Sequence, residues 1–481
     1  MNDYFALRVG SPASCVPCVP RRLRRPLSDG ILPSHTPQAA MRTYYIETFG
    51  CQMNEHDSEG IAGILSGLGL SPVGSVAGAD VVVLNTCSVR DKPHRKVYSR
   101  LQDLRHAKAR RPELVVVVAG CMAQLVPEEI AVKAPHVDLL VGPGSYGKLE
   151  EALRALLAGD RAERRELLDL CAPDSSPVPY ARAQPFRAWV NVMVGCDNHC
   201  AYCVVPAARG PEVSRRPEAI IEEVEHLARE GVVEVTLLGQ NVNSYGRGLT
   251  PFIDFPDLLD RVNAVGGLRR IRFTTSHPKD LSPKLIEAMA GLEKVCEHLH
   301  LPVQAGSDAV LARMGRGHTA AQYRDLVRAA REAIPALAVT TDAMVGFPGE
   351  TEEEFEQTLA LFEKVRYDQA FMFKYNDRPG TPASDLPDKV PEPEKQRRLE
   401  RLVSAQNRIA REINEERIGE EFEVLVEGPD GKTPGQARGR TRQNKLVIFP
   451  GDEALTGRFV TVRVRQARLW GWIGERQVTG A

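Results

Sequence analysis

Cys196, Cys200 and Cys203 stand within eight positions, in the spacing C-x3-C-x2-C. Thiolates are soft ligands that select iron–sulfur clusters, zinc or copper(I). Three of them on a four-iron cluster leave one iron without a protein ligand, and an open coordination position marks a working metal rather than a structural one. A zinc knuckle is the competing reading, with His199 turned inward as fourth ligand. Zinc sites usually pair C-x2-C with a second such pair or with two histidines, and no such partner stands close in the chain. The spacing therefore favours a reactive cluster.

A second set of thiols is spread further. Cys51, Cys87 and Cys121 lie about 35 residues apart, each just past an apolar run: Thr43 to Thr48, Asp80 to Asn85, and Leu114 to Ala119. Valine-rich runs alternating with helical stretches (Ser58 to Gly67 and Lys92 to Arg111) indicate a parallel sheet. Ligands gather at the carboxyl edge of such sheets. One βαβ unit separates successive cysteines, so the crossovers bring all three to one edge. A second three-thiolate cluster explains this economically. Three unrelated core cysteines are the alternative, because free cysteine is often buried.

The elements that must carry these thiols follow from length and pattern. A chain of 481 residues points to about three domains. The formal net charge is −1, so no global field attracts nucleic acid and any such contact is local. Ten cysteines without a secretory segment argue for a reducing compartment and for metal or redox use. No run of about 18 apolar residues appears, which predicts a soluble cytoplasmic protein that makes no membrane contact. Residues 1–40 are rich in Pro, Ser and Arg, without an apolar period, and read as a disordered extension outside the fold. Residues 41–158 form the first domain, and 159–185 have a polar, Pro-rich linker composition in which Cys171 is incidental.

Residues 186–417 repeat short apolar runs separated by helices: Trp189 to Val194, Val233 to Leu238, Ile271 to Thr275, Leu299 to Val303, Ala338 to Val345 and Ala370 to Lys374. Six repeats are too few for the eight-stranded barrel and predict an α/β domain with a parallel sheet. Chemistry should collect past the strand ends, at Gly239-Gln240-Asn241, Thr275-Ser276-His277, Gln304-Ala305-Gly306 and Gly346 to Thr351. His277 and His298 are isolated, and a lone histidine is more often a packing residue than an acid or base. From residue 418 on, alternating runs with Pro-Asp-Gly and Pro-Gly-Asp turns predict a small antiparallel β-barrel. Lys432 to Ala481 holds ten Lys and Arg against three Asp and Glu. Arg463, Arg465 and Arg468 could share one face, a pattern suited to an RNA backbone. An ordinary charged sheet edge is the alternative.

Several phrases carry a family resemblance: Phe49-Gly50-Cys51-Gln52-Met53-Asn54, Asn85-Thr86-Cys87-Ser88-Val89-Arg90, Ala119-Gly120-Cys121-Met122, the C-x3-C-x2-C, and Leu237 to Asn243. Over everything after Met41 the chain resembles the radical S-adenosylmethionine (SAM) methylthiotransferases. Cys203-Val204-Val205-Pro206 and Gln240 to Tyr245 are most similar to the branch that acts on dimethylallyl-adenosine beside the tRNA anticodon. Ala207-Ala208-Arg209-Gly210 departs from that branch, which usually carries a polar or aromatic residue before Arg-Gly. The resemblance implies an open six-stranded partial (β/α)6 barrel and an RNA-binding TRAM domain over 418–481. It implies two [4Fe-4S] clusters, on Cys196, Cys200 and Cys203 and on Cys51, Cys87 and Cys121, and places Tyr202, Gln240, Asn241, Gly346 and Glu350 near SAM.

Reductive cleavage of SAM would generate a 5′-deoxyadenosyl radical that takes hydrogen from C2 of adenine, a bond too inert for acid–base chemistry. The second cluster would supply the methylated sulfur. Implied partners are the tRNA anticodon stem-loop, with the target base swung out of its stack, and an electron donor such as flavodoxin or ferredoxin; the protein would act as a monomer. Two alternatives stand beside this reading. One is the same chemistry on threonylcarbamoyl-adenosine or on an aspartate of a ribosomal protein. The other is a non-catalytic iron–sulfur or zinc RNA-binding module.

Overall fold

A computed structural model describes residues 42–88, 91–160, 165–170 and 180–477. The extension over 1–40 and Cys171 lie outside the described residues. The chain divides into two compact units, the first ending at Ala183 and the second beginning at Gln184.

The first unit is built on a six-stranded sheet: β1 (Thr43–Thr48), β2 (Ser71–Pro72), β3 (Val81–Thr86), β4 (Val115–Gly120), β5 (Leu139–Val141) and β6 (Arg165–Leu167). The order is β2-β1-β3-β4-β5-β6 and every pairing is parallel. Strand side chains alternate between faces. Val81, Val83, Val115 and Val117 therefore pack on one side with Ile61, Ile64 and Leu65 of the helix Gln52–Gly67. Val82, Leu84, Val116 and Val118 pack on the other with Val97, Leu101 and Leu104 of the helix Asp91–Arg110. Each such buried side chain contributes about 1.5–3 kcal/mol, which is why both central strands read as unbroken valine runs. Part of the stretch 159–185 joins this sheet. Arg165–Leu167 pairs in register with Leu139–Val141 as the sheet's edge. An edge strand tolerates polar composition because one flank stays open to water.

The second unit contains β7 (Arg187–Asn191), β8 (Met193–Val194), β9 (Val213–Ser214), β10 (Glu234–Leu238), β11 (Arg270–Thr274), β12 (His298–His300), β13 (Ala338–Val345) and β14 (Gln369–Lys374). Two parallel three-stranded sheets, β7-β10-β11 and β12-β13-β14, meet through a bridge between Ile271 and Val295. This is the expected open six-stranded partial barrel. β12 stops three residues before the predicted end because Pro302 has no N–H to continue the ladder. The antiparallel pair β8–β9 is too short to announce itself in sequence. It clamps both ends of the loop that carries Cys196, Cys200 and Cys203.

The chain ends in a closed barrel of β15 (Glu421–Pro429), β16 (Gln436–Thr441), β17 (Leu446–Pro450), β18 (Phe459–Arg468) and β19 (Gly471–Arg476), in the order β15-β16-β17-β19-β18. Val424, Val426, Val447, Phe449, Val462, Val464 and Trp472 fill it. The expected antiparallel pattern holds except between β17 and β19, which run parallel. This barrel seats on the amino-terminal ends of the partial-barrel strands. Arg270, fully buried, donates to the carbonyls of Arg440 and Glu423, and Arg272 donates to those of Thr441 and Arg442.

Candidate iron–sulfur sites

Cys196, Cys200 and Cys203 occupy the loop that follows β8, at the carboxyl mouth of the open barrel. Gly195 begins the loop at φ 80°, and a Cβ there would stand 1.9 Å from the Pro211 carbonyl oxygen. Glycine is required by both facts. The loop is tied down by backbone bonds from Cys196 N–H to Gly210 O (3.2 Å), Ala201 N–H to Met314 O (2.9 Å) and Ala383 N–H to Ala201 O (2.8 Å).

Each sulfur receives a hydrogen bond. Asn198 N–H donates to Cys196 Sγ (3.5 Å), Val205 N–H to Cys203 Sγ (3.4 Å), and the Arg316 guanidinium to Cys200 Sγ (3.5 Å). Burial pushes the Cys203 thiol up to about 12 and raises that of Cys196, so these thiolates need positive charge supplied to them. Among the described residues no three His, Cys, Asp or Glu side chains form a cage for a single ion. Three buried or half-buried thiols, each with a hydrogen-bond donor, fit a [4Fe-4S] cluster with an open iron.

The other expected residues distribute around this mouth. Tyr202 packs beside Ala201 against the cluster of Leu311, Met314 and Phe347. Both amide atoms of Gln240, and Oδ1 of Asn241, are buried without a partner, while Asn241 Nδ2 donates to Asp280 (2.7 Å). Orphaned amides at a strand end await a ligand. Glu350 is engaged differently. Its Oε2 accepts from Gly346 N–H (2.6 Å) and from Arg398 (2.9 Å), latching the loop to the helix Glu392–Glu415, and only Oε1 is unpartnered. Gly346, at φ 72°, lies against the Lys395 side chain.

His277 and His298 behave as the packing residues that isolation suggested. His277 Nδ1 accepts from Lys279 N–H, His298 contacts Thr340 Oγ1, and burial holds both rings neutral. Inside the barrel, His300 bridges Thr340 Oγ1 (3.0 Å) and Asp342 (3.6 Å) and meets Phe371 edge-on.

In the first unit, β1, β3 and β4 deliver the other three thiols to one edge. Thr48 is opposite Asn85 and Thr86 opposite Gly120, with Cys87 and Cys121 the next residues. A Cβ on Gly50 would stand 2.8 Å from Cys87 Cβ, so the Cys51 turn lies directly against Cys87. Two fully buried asparagines hold that turn. Asn54 Nδ2 donates to Asn85 Oδ1 and to Thr86 O (both 3.1 Å), and Asn85 Nδ2 donates to Asn54 O (2.8 Å) and Ser58 Oγ (2.9 Å). Cys51 is exposed while Cys87 and Cys121 are buried, an edge open on one side. The donor set fits a second cluster with an open position.

Residues 190–362 match the radical SAM superfamily, 43–142 the uncharacterized protein family UPF0004, and 415–472 the TRAM domain. The tRNA-2-methylthio-N(6)-dimethylallyladenosine synthase of Moorella thermoacetica is 49% identical over 438 residues, covering 91% of this chain and 98% of that protein. The synthase of the same name from Pelotomaculum thermopropionicum is 48% identical, covering 89% and 96%. The chain belongs to this synthase family. A radical SAM methyltransferase from Kitasatospora setae, solved with cobalamin and a [4Fe-4S] cluster bound, shares the fold at TM-score 0.51 and 14% identity, over 72% of this chain and 77% of its own. Within the synthase family, two features escape a reading of the sequence alone. Arg316 is 116 residues from the thiol it touches. Asn54 and Asn85 stand inside the cysteine motifs, where nothing in their spacing shows that they bond to each other.

Proposed function

We propose that this protein inserts a methylthio group at C2 of N6-(dimethylallyl)adenosine at position 37 beside the tRNA anticodon. The observation that carries the reading is near-half identity to named synthases along almost the entire length of both chains. Membership separates this reading from threonylcarbamoyl-adenosine, from ribosomal-protein aspartate and from a non-catalytic module. The cofactors are SAM and [4Fe-4S] clusters. We assign one cluster to Cys196, Cys200 and Cys203 and one to Cys51, Cys87 and Cys121. Gln240 and Asn241 contribute orphaned amides for SAM, with Tyr202, Gly346 and Glu350 forming the adjoining wall.

When bound, SAM on the first cluster supplies a carbon radical on one-electron reduction and the second cluster supplies sulfur. The protein's own work is positional. Backbone N–H groups and Arg316 hold the three sulfurs, while the amides at the end of β10 orient the cofactor. The lumen around His300, Asp342 and Phe371 receives the base away from water. The C-terminal barrel binds the tRNA backbone.

We divide the chain at 41–158, 186–417 and 418–481, in keeping with the three matched families. We further assign it to the cytoplasm, as a monomer served by a flavodoxin or ferredoxin. No helix among the described residues is long and apolar enough to cross a membrane.

Nucleoside mass spectrometry of tRNA from a deletion strain tests the substrate. Loss of the 2-methylthio group with dimethylallyl-adenosine accumulating is expected, and an unchanged profile would sink the reading. Anaerobic reconstitution should give about eight irons per chain, and about four in C51A/C87A/C121A, which should no longer insert sulfur.

A further inference from the structure

Arg316 presents a charge problem. It is 4% exposed, yet among the described residues no Asp or Glu carboxylate lies within ion-pair distance. A buried guanidinium without a counter-ion is strongly destabilising. Its two hydrogen bonds go to the Pro302 carbonyl (2.7 Å) and to Cys200 Sγ (3.5 Å), and Nε has no partner. The nearby rings of His318 and His277 are neutral, because burial, reinforced by Arg316 itself, lowers both, so they neither compensate the guanidinium nor add to its charge. The counter-charge that the geometry offers this cation is the Cys200 sulfur, which is a thiolate when it ligates iron.

The geometry also distinguishes Cys200 from its neighbours. Cys196 and Cys203 receive neutral backbone N–H groups, whereas Cys200 receives the full cation. Hydrogen bonds to cluster sulfurs and net local charge set the reduction potential of such sites. Donor and charge act in the same direction, since both stabilise the more negative reduced form. A guanidinium keeps its proton at any working pH, so the effect is permanent.

We propose that Arg316 is a positioning residue that raises the reduction potential of the cluster on Cys196, Cys200 and Cys203, bringing it within reach of its electron donor. The inference rests on the assignment of that cluster and deepens it. Arg316 touches the cluster ligand Cys200 directly.

The test uses the full chain in the C51A/C87A/C121A background, so that one cluster is observed. Reductive titration with dithionite and mediator dyes, read by electron paramagnetic resonance, gives the midpoint potential. R316M should lower it so that the reduced-to-oxidised ratio at a fixed potential falls at least roughly tenfold, equivalent to about 59 mV for a one-electron couple. R316K keeps a charge but loses the fork, and should fall between R316M and the parent. Iron content should stay at about four in R316K, and tRNA affinity should be unchanged in both variants. Where R316M fails to retain iron, R316K alone decides: a lowered midpoint supports the assignment. An unchanged midpoint in an iron-loaded variant would overturn it. Failure of the cluster assignment is distinguishable, because the parent itself would then show no SAM-responsive signal.

Discussion

His298 sits at the start of β12 with its Nε2 3.3 Å from Thr340 Oγ1. Burial depresses its pKa well below the usual imidazole range, and Arg272, His300, Arg440 and Lys445 add to the effect. The sign follows from proton counting. Between the unfolded value near 6.5 and the depressed folded value, the unfolded chain binds the extra proton, so stability rises with pH. The stabilising contribution is complete above about pH 6.5 and is lost as pH falls below it. His318, held at about 4, behaves the same way over the interval down to that value. Urea midpoints should therefore drop from pH 7 to pH 5, and the drop should be shallower in H298Q, which retains a polar partner for Thr340. Parallel profiles for the two proteins would refute the assignment. At this scale the six candidate thiols stand out in the sequence because their spacing is local or repeats with the βαβ unit. The contact between Arg316 and Cys200 does not, since it exists only once the chain has folded.

Among the elements, the sheet edge of the first unit depends on two side chains with reciprocal bonds. Asn54 lies in the first turn of the helix Gln52–Gly67, and Asn85 lies on β3, one residue before its end. Their four hydrogen bonds tie the Cys51 turn to the strand that delivers Cys87. Replacing Asn85 by Ala leaves buried donors and acceptors unpaired, at about 1–3 kcal/mol for each unsatisfied group. N85A should lower the melting temperature and release the upstream cluster, leaving about four irons per chain while SAM cleavage continues. Retention of about eight irons would show that the asparagine pair does not hold the site. Strands with strong apolar runs, such as Ala338–Val345, were legible to the residue. The two-residue β8 and β9 and the polar β6 were not. Their pairing is imposed by the loops and strands beside them rather than by their own composition.

Over the whole molecule, the C-terminal barrel does two jobs, and charge counting exposed only one. Its arginines looked like an RNA surface, yet several are spent inside the fold. Arg442 grips Glu297 through paired bonds of 2.8 and 2.9 Å, Arg440 pairs with Glu427, and Lys445 with Asp368. From the other side, Arg272 pairs with Glu234 at 3.0 Å and reaches the carbonyls of Thr441 and Arg442. These residues cap the amino-terminal ends of β10, β11, β12 and β14, so the barrel closes the end of the SAM domain opposite its cluster. Removing one partner of a buried pair costs about 3–5 kcal/mol. A chain ending at Arg417 should therefore lose the SAM domain's own stability and its iron, rather than tRNA affinity alone. Separating the two jobs needs surface variants. Arg463 and Arg465 face solvent in exposed pairs with Glu421 and Glu475, worth about 0–1 kcal/mol each, which a phosphate can displace. R463A/R465A/R468A should keep the melting temperature and iron content while weakening tRNA binding. The slope of log K against log salt should become shallower by about 0.9 for each duplex phosphate that the variant no longer neutralises. A truncated chain that melts like the intact one would remove the capping role, and an unchanged salt slope in the triple variant would move the RNA surface off this face.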